Sequence, residues 1–372
     1  MNSLYIHIPF CRSRCIYCDF YSTTLGTDCM VSYAKALERE MSLRTRYNIN
    51  STRVHSIYIG GGTPSLLPTA ILKELFAGIG RHFTIEADAE VTIEANPDDV
   101  TSEWLTCLAD TPVNRISMGA QTFNDDILRL LRRRHNAQQT TDAVRACKEA
   151  GITNISLDLI YGLPHQTFED WQHDVELALS LNIKHLSAYA LSVEQGTPLD
   201  SSPYKEELEG VRYEELSRKM YSHLLTETDK AGFVHYEISN FALPGFHSRH
   251  NSGYWQATPY LGLGAGAHSY DGRRSRRANL PDIMAYIAST GDVPHETEEL
   301  SDEALYNEFI MTRLRTAHGI PLKQLSEEDR NYCLSMAKPH IERRLLHIKD
   351  AHLCLTKEGI FTSNDIISDL MK

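Results

Sequence analysis

Short hydrophobic runs rich in β-branched residues alternate with amphipathic stretches through the first half of the chain. The runs recur at roughly 30-residue intervals, which is typical of strands joined by helical crossovers. We predict strands at residues 4–8, 56–59, 90–94, 115–118, 154–159 and 186–191. The stretches at 31–47 and 137–150 have the apolar spacing of helices, and Gly151 supplies an ordinary helix stop.

Six alternating strand–helix units indicate an α/β fold with a parallel sheet and helices outside it. Six units are two short of the eight in a closed (β/α)8 barrel. We therefore predict a partial (β/α)6, TIM-like barrel, although a doubly wound sheet fits the same pattern.

The pattern changes after the sixth strand. Residues 204–230 are typical of one long charged helix or two, and a stretch with the composition of a loop follows, containing Pro244, Pro259 and glycines at 262, 264 and 266. From residue 301 we predict helices, a hairpin (352–356 and 359–362) and a last helix. The chain therefore divides into a partial barrel at 1–235, a connecting segment at 236–299 and a smaller helical, winged-helix-like domain at 300–372.

Composition and charge narrow the class of protein. Hydrophobic residues make up 42% and charged residues 23%, an ordinary globular mixture. Lys plus Arg number 37 against 49 Asp plus Glu, so the net charge is −12, which argues against a general nucleic-acid binder because phosphate neutralisation needs clustered basic residues. The chain lacks an apolar run long enough for a transmembrane helix, and MNSLYIHIPF lacks the features of a secretory signal. We expect a cytoplasmic protein. The sequence does not decide whether it contacts a membrane peripherally or forms a homodimer.

Three of the eight cysteines form one tight cluster, Cys11-x3-Cys15-x2-Cys18. A disulfide framework is not expected in a leaderless chain of this length, so the cluster needs another chemical explanation. Thiolates are soft ligands for zinc, copper(I) and iron–sulfur clusters. A fourth ligand could come from a distant cysteine, His7 or Asp19; alternatively, one iron of a cluster stays open for a substrate. We interpret the other five cysteines as inert thiols.

Five predicted strands carry unusual groups near their carboxyl ends, the edge where chemistry gathers in parallel α/β folds. These groups are the cysteine loop, the run from Gly60 to Pro64, Glu94, Gln121 and Asp158. The glycine run lacks G-x-G-x-x-G spacing and a Walker lysine, so it does not indicate a nucleotide phosphate site. Asp158 stands inside an apolar run, where an unpaired carboxylate is costly. We expect these groups to share one site.

The C-x3-C-x2-C loop directly after the first strand resembles the signature of radical S-adenosylmethionine (SAM) enzymes. The resemblance implies that Cys11, Cys15 and Cys18 ligate three irons of a [4Fe–4S] cluster, and that the fourth iron chelates the amino and carboxylate groups of SAM. It also implies that reduction cleaves SAM to a 5′-deoxyadenosyl radical, the cofactor supplying the difficult chemistry. Whether SAM is cleaved or only bound stays open.

The resemblance runs over almost the whole chain. The segments YIHIPFC (5–11), GGGTP (60–64), EANP (94–97), MGAQ (118–121) and DLIYGLP (158–164) look like the HemN/HemW group. That group contains oxygen-independent coproporphyrinogen III dehydrogenases and related heme chaperones. The resemblance implies that 300–372 is the HemN-type C-terminal domain.

Carried over by motif position, the SAM site of this group falls on nine residues: Tyr5, Tyr17, Gly61, Gly62, Thr63, Glu94, Gln121, Arg133 and Asp158. The resemblance implies that Tyr5 and Arg133 meet the carboxylate end of SAM and that Asp158 meets its ribose hydroxyls. Tyr17 is expected on the adenine side. The glycines bring backbone close to the methionine part, since glycine permits that approach. In the sixth strand, Ala190 and Ser192 are alternatives.

Three features separate the two kinds of member. The dehydrogenases carry a fourth cysteine two places after the third, where this chain has Phe20. They also carry a substantial segment before the first strand, whereas the first strand of this chain is predicted to start at residue 4. The segment HNSGYW (250–255) matches the H-N-x-x-Y-W motif of the chaperones, in which the histidine, here His250, is the proposed heme ligand. Tyr254 and Trp255 offer flat apolar surface. A loop histidine packed by two aromatic residues is the alternative interpretation.

We therefore predict a heme chaperone of radical SAM fold that binds heme, a [4Fe–4S] cluster and SAM, and transfers heme to acceptor hemoproteins. The alternative is oxidative decarboxylation of coproporphyrinogen III to protoporphyrinogen IX, and a weaker alternative is a different radical SAM reaction. The expected partners are acceptor hemoproteins and an electron donor for the cluster, without nucleic acid.

Overall fold

The computed structural model describes residues 3–46 and 52–372. Strands and helices alternate in the first half of the chain: β1 (Ser3–Ile8), α1 (Thr27–Arg46), β2 (Arg53–Gly61), α2 (Thr69–His82), β3 (Thr84–Ala95), α3 (Ser102–Ala109), β4 (Arg115–Gln121), α4 (Asp125–Leu130), α5 (Ala137–Glu149), β5 (Ile155–Tyr161), α6 (Phe168–Ser180) and β6 (His185–Ala190). Residue 47, the predicted end of the first helix, lies outside the described residues.

The second half of the chain is less regular. It contains α7 (Val211–Lys230), β7 (Val234–Glu237), β8 (Asn240–Ala242), α8 (Arg249–Trp255), β9 (Tyr260–Leu263), β10 (His268–Tyr270), β11 (Ser275–Asn279), α9 (Ile283–Ala288), β12 (His295–Glu299), α10 (Asp302–Leu314), β13 (Ile320–Pro321), α11 (Glu327–Glu342), β14 (Leu346–Lys349), β15 (His352–Leu355) and α12 (Ser363–Leu370). Among the described residues, no helix is both long enough and apolar enough to cross a bilayer.

Within the described residues, twelve strands form one sheet in the order β12-β11-β10-β9-β1-β2-β3-β4-β5-β6-β8-β7. Strands β1 to β6 are parallel neighbours in chain order, and β9 lies parallel to β1. Beyond β9 and β6 the strand pairs are antiparallel, so the parallel barrel pattern stops on both sides. The predicted α/β fold with an open, partial barrel is confirmed.

The parallel strands are nearly continuous hydrophobic runs because both of their faces are covered. In β1, for example, Leu4, Ile6 and Ile8 are at most 1% exposed and belong to the main core. The covering helices begin at side-chain caps: Asn136 and Thr167 each form a capping box at the start of α5 and α6. Sequence pattern and capping therefore agree on where the strand–helix units begin.

Part of the stretch that we predicted to be loop-like is regular structure. Arg249–Trp255 forms α8, and Tyr260–Leu263 forms β9, which adds a seventh parallel strand beside β1. A Cβ at Gly262 would lie 1.9 Å from the carbonyl oxygen of His268, so glycine is what lets β9 and β10 approach. The glycine that suggested a loop instead serves a close strand contact.

The C-terminal part has its own hydrophobic core, formed by α10, α11, α12 and a small antiparallel sheet in the order β13-β15-β14. The predicted hairpin was wrong in its second strand, because His352–Leu355 pairs with the preceding Leu346–Lys349. Asp350 and Ala351, both at positive φ, make the two-residue turn between these strands. The residues from Gly359 to Thr362 form a 3₁₀ turn instead.

Candidate cofactor site

A cavity of about 490 Å³ lies where the carboxyl ends of β1 to β6 meet. It brings together all predicted cluster and SAM residues except Tyr5. Its lining includes Cys11, Cys15, Tyr17, Cys18, Gly61, Gly62, Thr63, Glu94, Gln121, Arg133 and Asp158. Residues from six consecutive strand ends therefore share one concave surface, as expected for a site in a parallel α/β fold.

The loop after β1 is held in place by backbone hydrogen bonds on both of its flanks. The N–H of Cys11 donates to the carbonyl of Thr23 at 2.8 Å, which closes the loop on itself. The N–H of Ile16 donates to the carbonyl of Leu131 at 3.4 Å, and the carbonyl of Ile16 accepts from Leu199 at 2.9 Å. These bonds fix the loop against two other segments and direct its cysteines to the cavity.

The three cysteines offer a donor set suited to an iron–sulfur cluster. Across residues 3–46 and 52–372, no three His, Cys, Asp or Glu side chains are arranged to hold a single metal ion. A [4Fe–4S] cluster takes each thiolate on a different iron, so its ligands do not converge on one point. Two donors already face the thiols: Arg133 Nη1 lies 3.5 Å from Cys15 Sγ, and Thr63 Oγ1 lies 3.6 Å from Cys11 Sγ. The residues present fit the cluster.

The glycine run at the end of β2 packs directly against the start of the cysteine loop. A Cβ at Gly61, whose φ is +115°, would lie 2.5 Å from Cε1 of His7, and a Cβ at Gly62 would lie 2.7 Å from the carbonyl oxygen of Phe10. The N–H of Gly62 donates to the carbonyl of Ile8 at 2.8 Å. Only glycine fits this packing, so the run exposes backbone where other residues would place a side chain.

Two buried carboxylates face the same cavity. Glu94 accepts from the hydroxyl of Tyr58 at 2.8 Å and from the N–H of Gly61 at 3.0 Å, while Asp158 accepts from the hydroxyl of Ser117 at 3.2 Å. Burial raises the pKa of Glu94 to about 7, and the charge of Asp158 adds to the shift. Burial also raises the pKa of Asp158. Because burial disfavours the charged form of both carboxylates, a cationic ligand beside them is favourable. SAM carries both a sulfonium and an ammonium group.

The cavity lining also includes the guanidinium of Arg133 and a strained backbone position at Gln121. Arg133 donates from Nη2 to the carbonyl of Gly119 at 2.7 Å, while its buried Nε has no hydrogen-bond partner in the described part of the chain. Gln121 adopts φ +67° at a bulge between β4 and β5, and its amide oxygen accepts from the hydroxyl of Tyr17 at 3.1 Å. Bulges next to functional sites re-aim side chains, and here the amide is turned to the cavity.

Tyr5 does not line the cavity. Its hydroxyl donates to Nδ1 of His7 at 2.9 Å, since Nε2 of His7 donates to the carbonyl of Tyr21. Its ring stacks on Tyr58, with centroids 6.3 Å apart. Tyr5 thus supports the wall residue Tyr58 from behind. Its expected contact with the carboxylate end of SAM stays a prediction.

Helix α8 carries the H-N-x-x-Y-W segment into the barrel interior. The backbone N–H groups of Arg249 and His250, in its first turn, donate to the carboxylate of Glu90 at 3.0 and 3.1 Å. Asn251, the next residue, lines the cavity. A buried carboxylate at a helix N-terminus is favourable because it satisfies orphan N–H groups and the helix dipole. The segment is thus docked beside the cofactor cavity.

His250 itself is 2% exposed and does not line the cavity. Its Nδ1 lies 3.1 Å from Oγ of Ser56, and its Nε2 lies 2.9 Å from the hydroxyl of Tyr254. Its ring stacks on Tyr58 with centroids 5.2 Å apart. Burial lowers the pKa of His250 to about 3, so the imidazole is neutral. Both nitrogens are engaged, and heme ligation requires one of them to be released.

Several cavity residues were not identified from the sequence. They include Tyr58, Asn96, Arg115, Ser117, Ser187, Tyr189 and Asn251. Arg115 is 1% exposed at the start of β4. A charged residue directly before an apolar run is the sequence feature that could have identified it. The two alternatives for the sixth strand, Ala190 and Ser192, both line the cavity.

Comparisons with known proteins agree with this geometry. Residues 5–178 match the Radical SAM superfamily, and residues 300–362 match the HemN C-terminal domain. A solved structure described as coproporphyrinogen III oxidase (HemN) from Escherichia coli, a radical SAM enzyme, has the same fold, with a TM-score of 0.83 at 21% identity over 100% of this chain and 90% of that one. The fold and the site define a radical SAM protein.

Sequence similarity is more specific. The chain is 36% identical to the heme chaperone HemW of Bacillus subtilis (strain 168) over 98% of both chains. It is 35% identical to the heme chaperone HemW of Escherichia coli (strain K12) over 86% of this chain and 84% of that one. The chain belongs to the HemW family. Membership of the radical SAM superfamily implies a [4Fe–4S] cluster and SAM.

The two carboxylates give a first prediction. Glu94→Gln and Asp158→Asn should each weaken SAM binding by roughly 5- to 150-fold, because deleting one charged hydrogen-bond partner in a buried site costs about 1–3 kcal/mol. Equilibrium dialysis with labelled SAM on the reconstituted protein measures this effect, and iron content should stay unchanged. Asp174→Asn is the control, since Asp174 is a carboxylate only 1% exposed that does not line the cavity. Parent-like SAM affinity in both variants would refute the pocket assignment.

Proposed function

We propose that this protein is a heme chaperone, which binds heme and delivers it to acceptor hemoproteins. The observation that carries the proposal is the 36% identity to a heme chaperone HemW over 98% of both chains. Similarity over nearly the full length includes the barrel, the cavity and the H-N-x-x-Y-W segment together. Such similarity is more informative about function than the shared fold, which many unrelated activities use.

The cavity residues have separate roles in this proposal. Cys11, Cys15 and Cys18 hold the cluster, and the fourth iron stays open to SAM. When bound, the cluster supplies one-electron chemistry, with electrons from a separate donor protein. The chain itself contributes the buried anions Glu94 and Asp158 for the cationic cofactor, while Arg133 is placed to pair with a carboxylate. We further propose a cytoplasmic location.

The residue two places after the third cysteine favours the chaperone over the dehydrogenase. Phe20 stands where the dehydrogenases carry a fourth cysteine, and it is 64% exposed at the mouth of the cavity. An exposed phenylalanine cannot replace a thiol in redox or ligand chemistry, but it offers apolar surface that a planar macrocycle can cover. This difference supports heme handling next to the cofactor site.

Heme ligation is assigned to His250 in this proposal. A neutral imidazole is a standard axial ligand of heme iron, and burial keeps this imidazole neutral. Tyr254, four residues further on, supplies aromatic surface beside it, with centroids 5.0 Å apart, while Trp255 packs against Arg315. The stacking of His250 on Tyr58, which lines the cavity, supports a heme site near the cofactor site.

An anaerobic comparison of heme binding with coproporphyrinogen III turnover tests the proposed function. We expect about one heme per chain and no oxidative decarboxylation under reducing, SAM-replete conditions, because Phe20 replaces the fourth cysteine. Porphyrin products are measured by chromatography with fluorescence detection, with an authentic dehydrogenase as the positive control. Robust formation of protoporphyrinogen IX would instead establish the dehydrogenase reaction.

A further inference from the structure

The hydrogen bonds of His250 determine its tautomer. The hydroxyl of Ser56 donates to Oγ of Ser3 at 2.9 Å, so the oxygen of Ser56 accepts the Nδ1–H of His250 at 3.1 Å. Nε2 therefore carries the lone pair. This lone pair accepts the hydroxyl hydrogen of Tyr254 across 2.9 Å. The nitrogen that would bind iron is thus occupied by a tyrosine hydroxyl.

The imidazole of His250 is held from several sides. Its ring packs against Tyr58 at 5.2 Å and Tyr5 at 6.4 Å between centroids, and its backbone N–H donates to Glu90. Rotation of the ring would break the bond to Ser56 and disturb the stack on Tyr58. Tyr58 in turn holds Glu94 in the cavity. The ring is therefore the fixed partner in the pair with Tyr254.

Tyr254 is the movable partner. It is partly exposed and lies in the last turn of the seven-residue helix α8. The rings of Tyr254 and Tyr260 pack edge to face, with centroids 4.8 Å apart and planes at 89°. In the described part of the chain, the hydrogen bond to His250 is the one that its hydroxyl makes. A rotation of the Tyr254 side chain would free Nε2 at the cost of one hydrogen bond and the contact with Tyr260.

We propose that Tyr254 is a latch on His250, and that heme binds by displacing its hydroxyl from Nε2. The inference rests on the proposed heme-chaperone function and deepens it. One hydrogen bond, from the Tyr254 hydroxyl to Nε2, is exchanged for one coordinate bond from Nε2 to the heme iron. The hydroxyl keeps its proton and turns to water, and no electron is transferred. Because an imidazole nitrogen has a single lone pair, the two bonds exclude each other.

The latch gives a chaperone a means of release. Each departure of heme is assisted by re-formation of the internal hydrogen bond, so Nε2 does not have to be left unpaired in a buried site. A carrier that must deliver heme benefits from such a competitor, whereas a permanent heme protein does not. Removing the competing hydroxyl should therefore strengthen heme retention rather than weaken it.

Titration of the anaerobically reconstituted full chain with hemin tests the latch. Tyr254→Phe keeps the ring and deletes only the hydroxyl, so heme affinity should rise about two- to tenfold, the range of one net hydrogen bond. Dissociation to an excess heme scavenger should slow in proportion. Tyr260→Phe is the matched control: it deletes a hydroxyl one ring away that is not bonded to His250, and its affinity should equal that of the parent.

A double-mutant comparison separates the role of Tyr254 as a latch from the role of His250 as the heme ligand. In a His250→Ala background, Tyr254→Phe should have no effect on the residual heme affinity. An unchanged or reduced affinity of Tyr254→Phe in the parent background, or an equal gain in the His250→Ala background, would overturn the latch. Equal heme affinity of the parent and His250→Ala would overturn the ligand assignment on which the latch rests. Iron content of every variant reports that the barrel is intact.

Discussion

Replacement of Cys11, Cys15 or Cys18 by alanine should abolish the iron–sulfur cluster. Each of the three thiols lines one cavity and is expected to ligate a different iron, so the loss of any one leaves an iron without its protein ligand. Anaerobically reconstituted parent protein should contain about four irons and four sulfides per chain, and each variant should retain only a trace. Iron and labile-sulfide assays, with the visible absorption of the cluster, measure the effect.

The chain offers three matched cysteine controls. Cys29 lies in α1, Cys107 lies in α3 with its thiol 3.6 Å from the carbonyl of Thr69, and Cys354 lies in β15. Alanine at each of these positions should leave the iron content unchanged, because none of the three lines the cavity. Stoichiometric zinc without labile sulfide in anaerobically purified protein would contradict the iron–sulfur interpretation.

Replacement of His250 by alanine should produce the second large effect, on heme. Removal of the axial ligand should shift the Soret band and lower heme affinity by at least about tenfold, because the iron loses its coordinate bond to the imidazole nitrogen. The cluster should be unaffected, since His250 lies behind Tyr58 and does not reach the cavity. Hemin titration followed by absorption spectroscopy, with iron content measured in parallel, separates the two effects.

Nearby histidines control for adventitious heme binding. His247 stacks on Tyr236 with centroids 4.4 Å apart, and His268 lies exposed at the start of β10. His247→Ala and His268→Ala should leave the heme spectrum and affinity unchanged. Parent-like heme binding in His250→Ala, with the loss appearing at one of these controls, would transfer the ligand role to that histidine.

The strand ends were predictable because chain order and strand direction are both visible in the sequence. Glu94 and Asp158 follow or interrupt apolar runs, and parallel strands bring their carboxyl ends to one edge. A motif gives the position of Tyr5 along the chain but not the neighbours of its side chain. In the folded chain its ring stacks on Tyr58, its register partner on β2, which itself lines the cavity. The expected contact of Tyr5 with SAM stays a prediction.

The docking of α8 depends on contacts between distant parts of the chain. The helix is anchored by Glu90, about 160 residues earlier, and His250 is held by Ser56 on β2. Local pattern cannot reveal such partners, and the nearby Pro244 and glycines are typical of a loop. The hairpin in the C-terminal part failed for a related reason. The turn at Asp350 and Ala351 lacks the glycine that usually marks positive φ.

Transfer of heme from this protein to an acceptor hemoprotein can be followed by absorption spectroscopy. Protein carrying cluster, SAM and one heme is mixed anaerobically with the apo form of a b-type hemoprotein, and the Soret band of the acceptor is followed against time. Delivery should be faster than the loss of heme to a neutral scavenger protein, whereas His250→Ala loaded with the same hemin should lose heme to the acceptor no faster than to the scavenger. Equal rates to acceptor and scavenger in the parent, or undiminished delivery by His250→Ala, would contradict a role in heme delivery through His250.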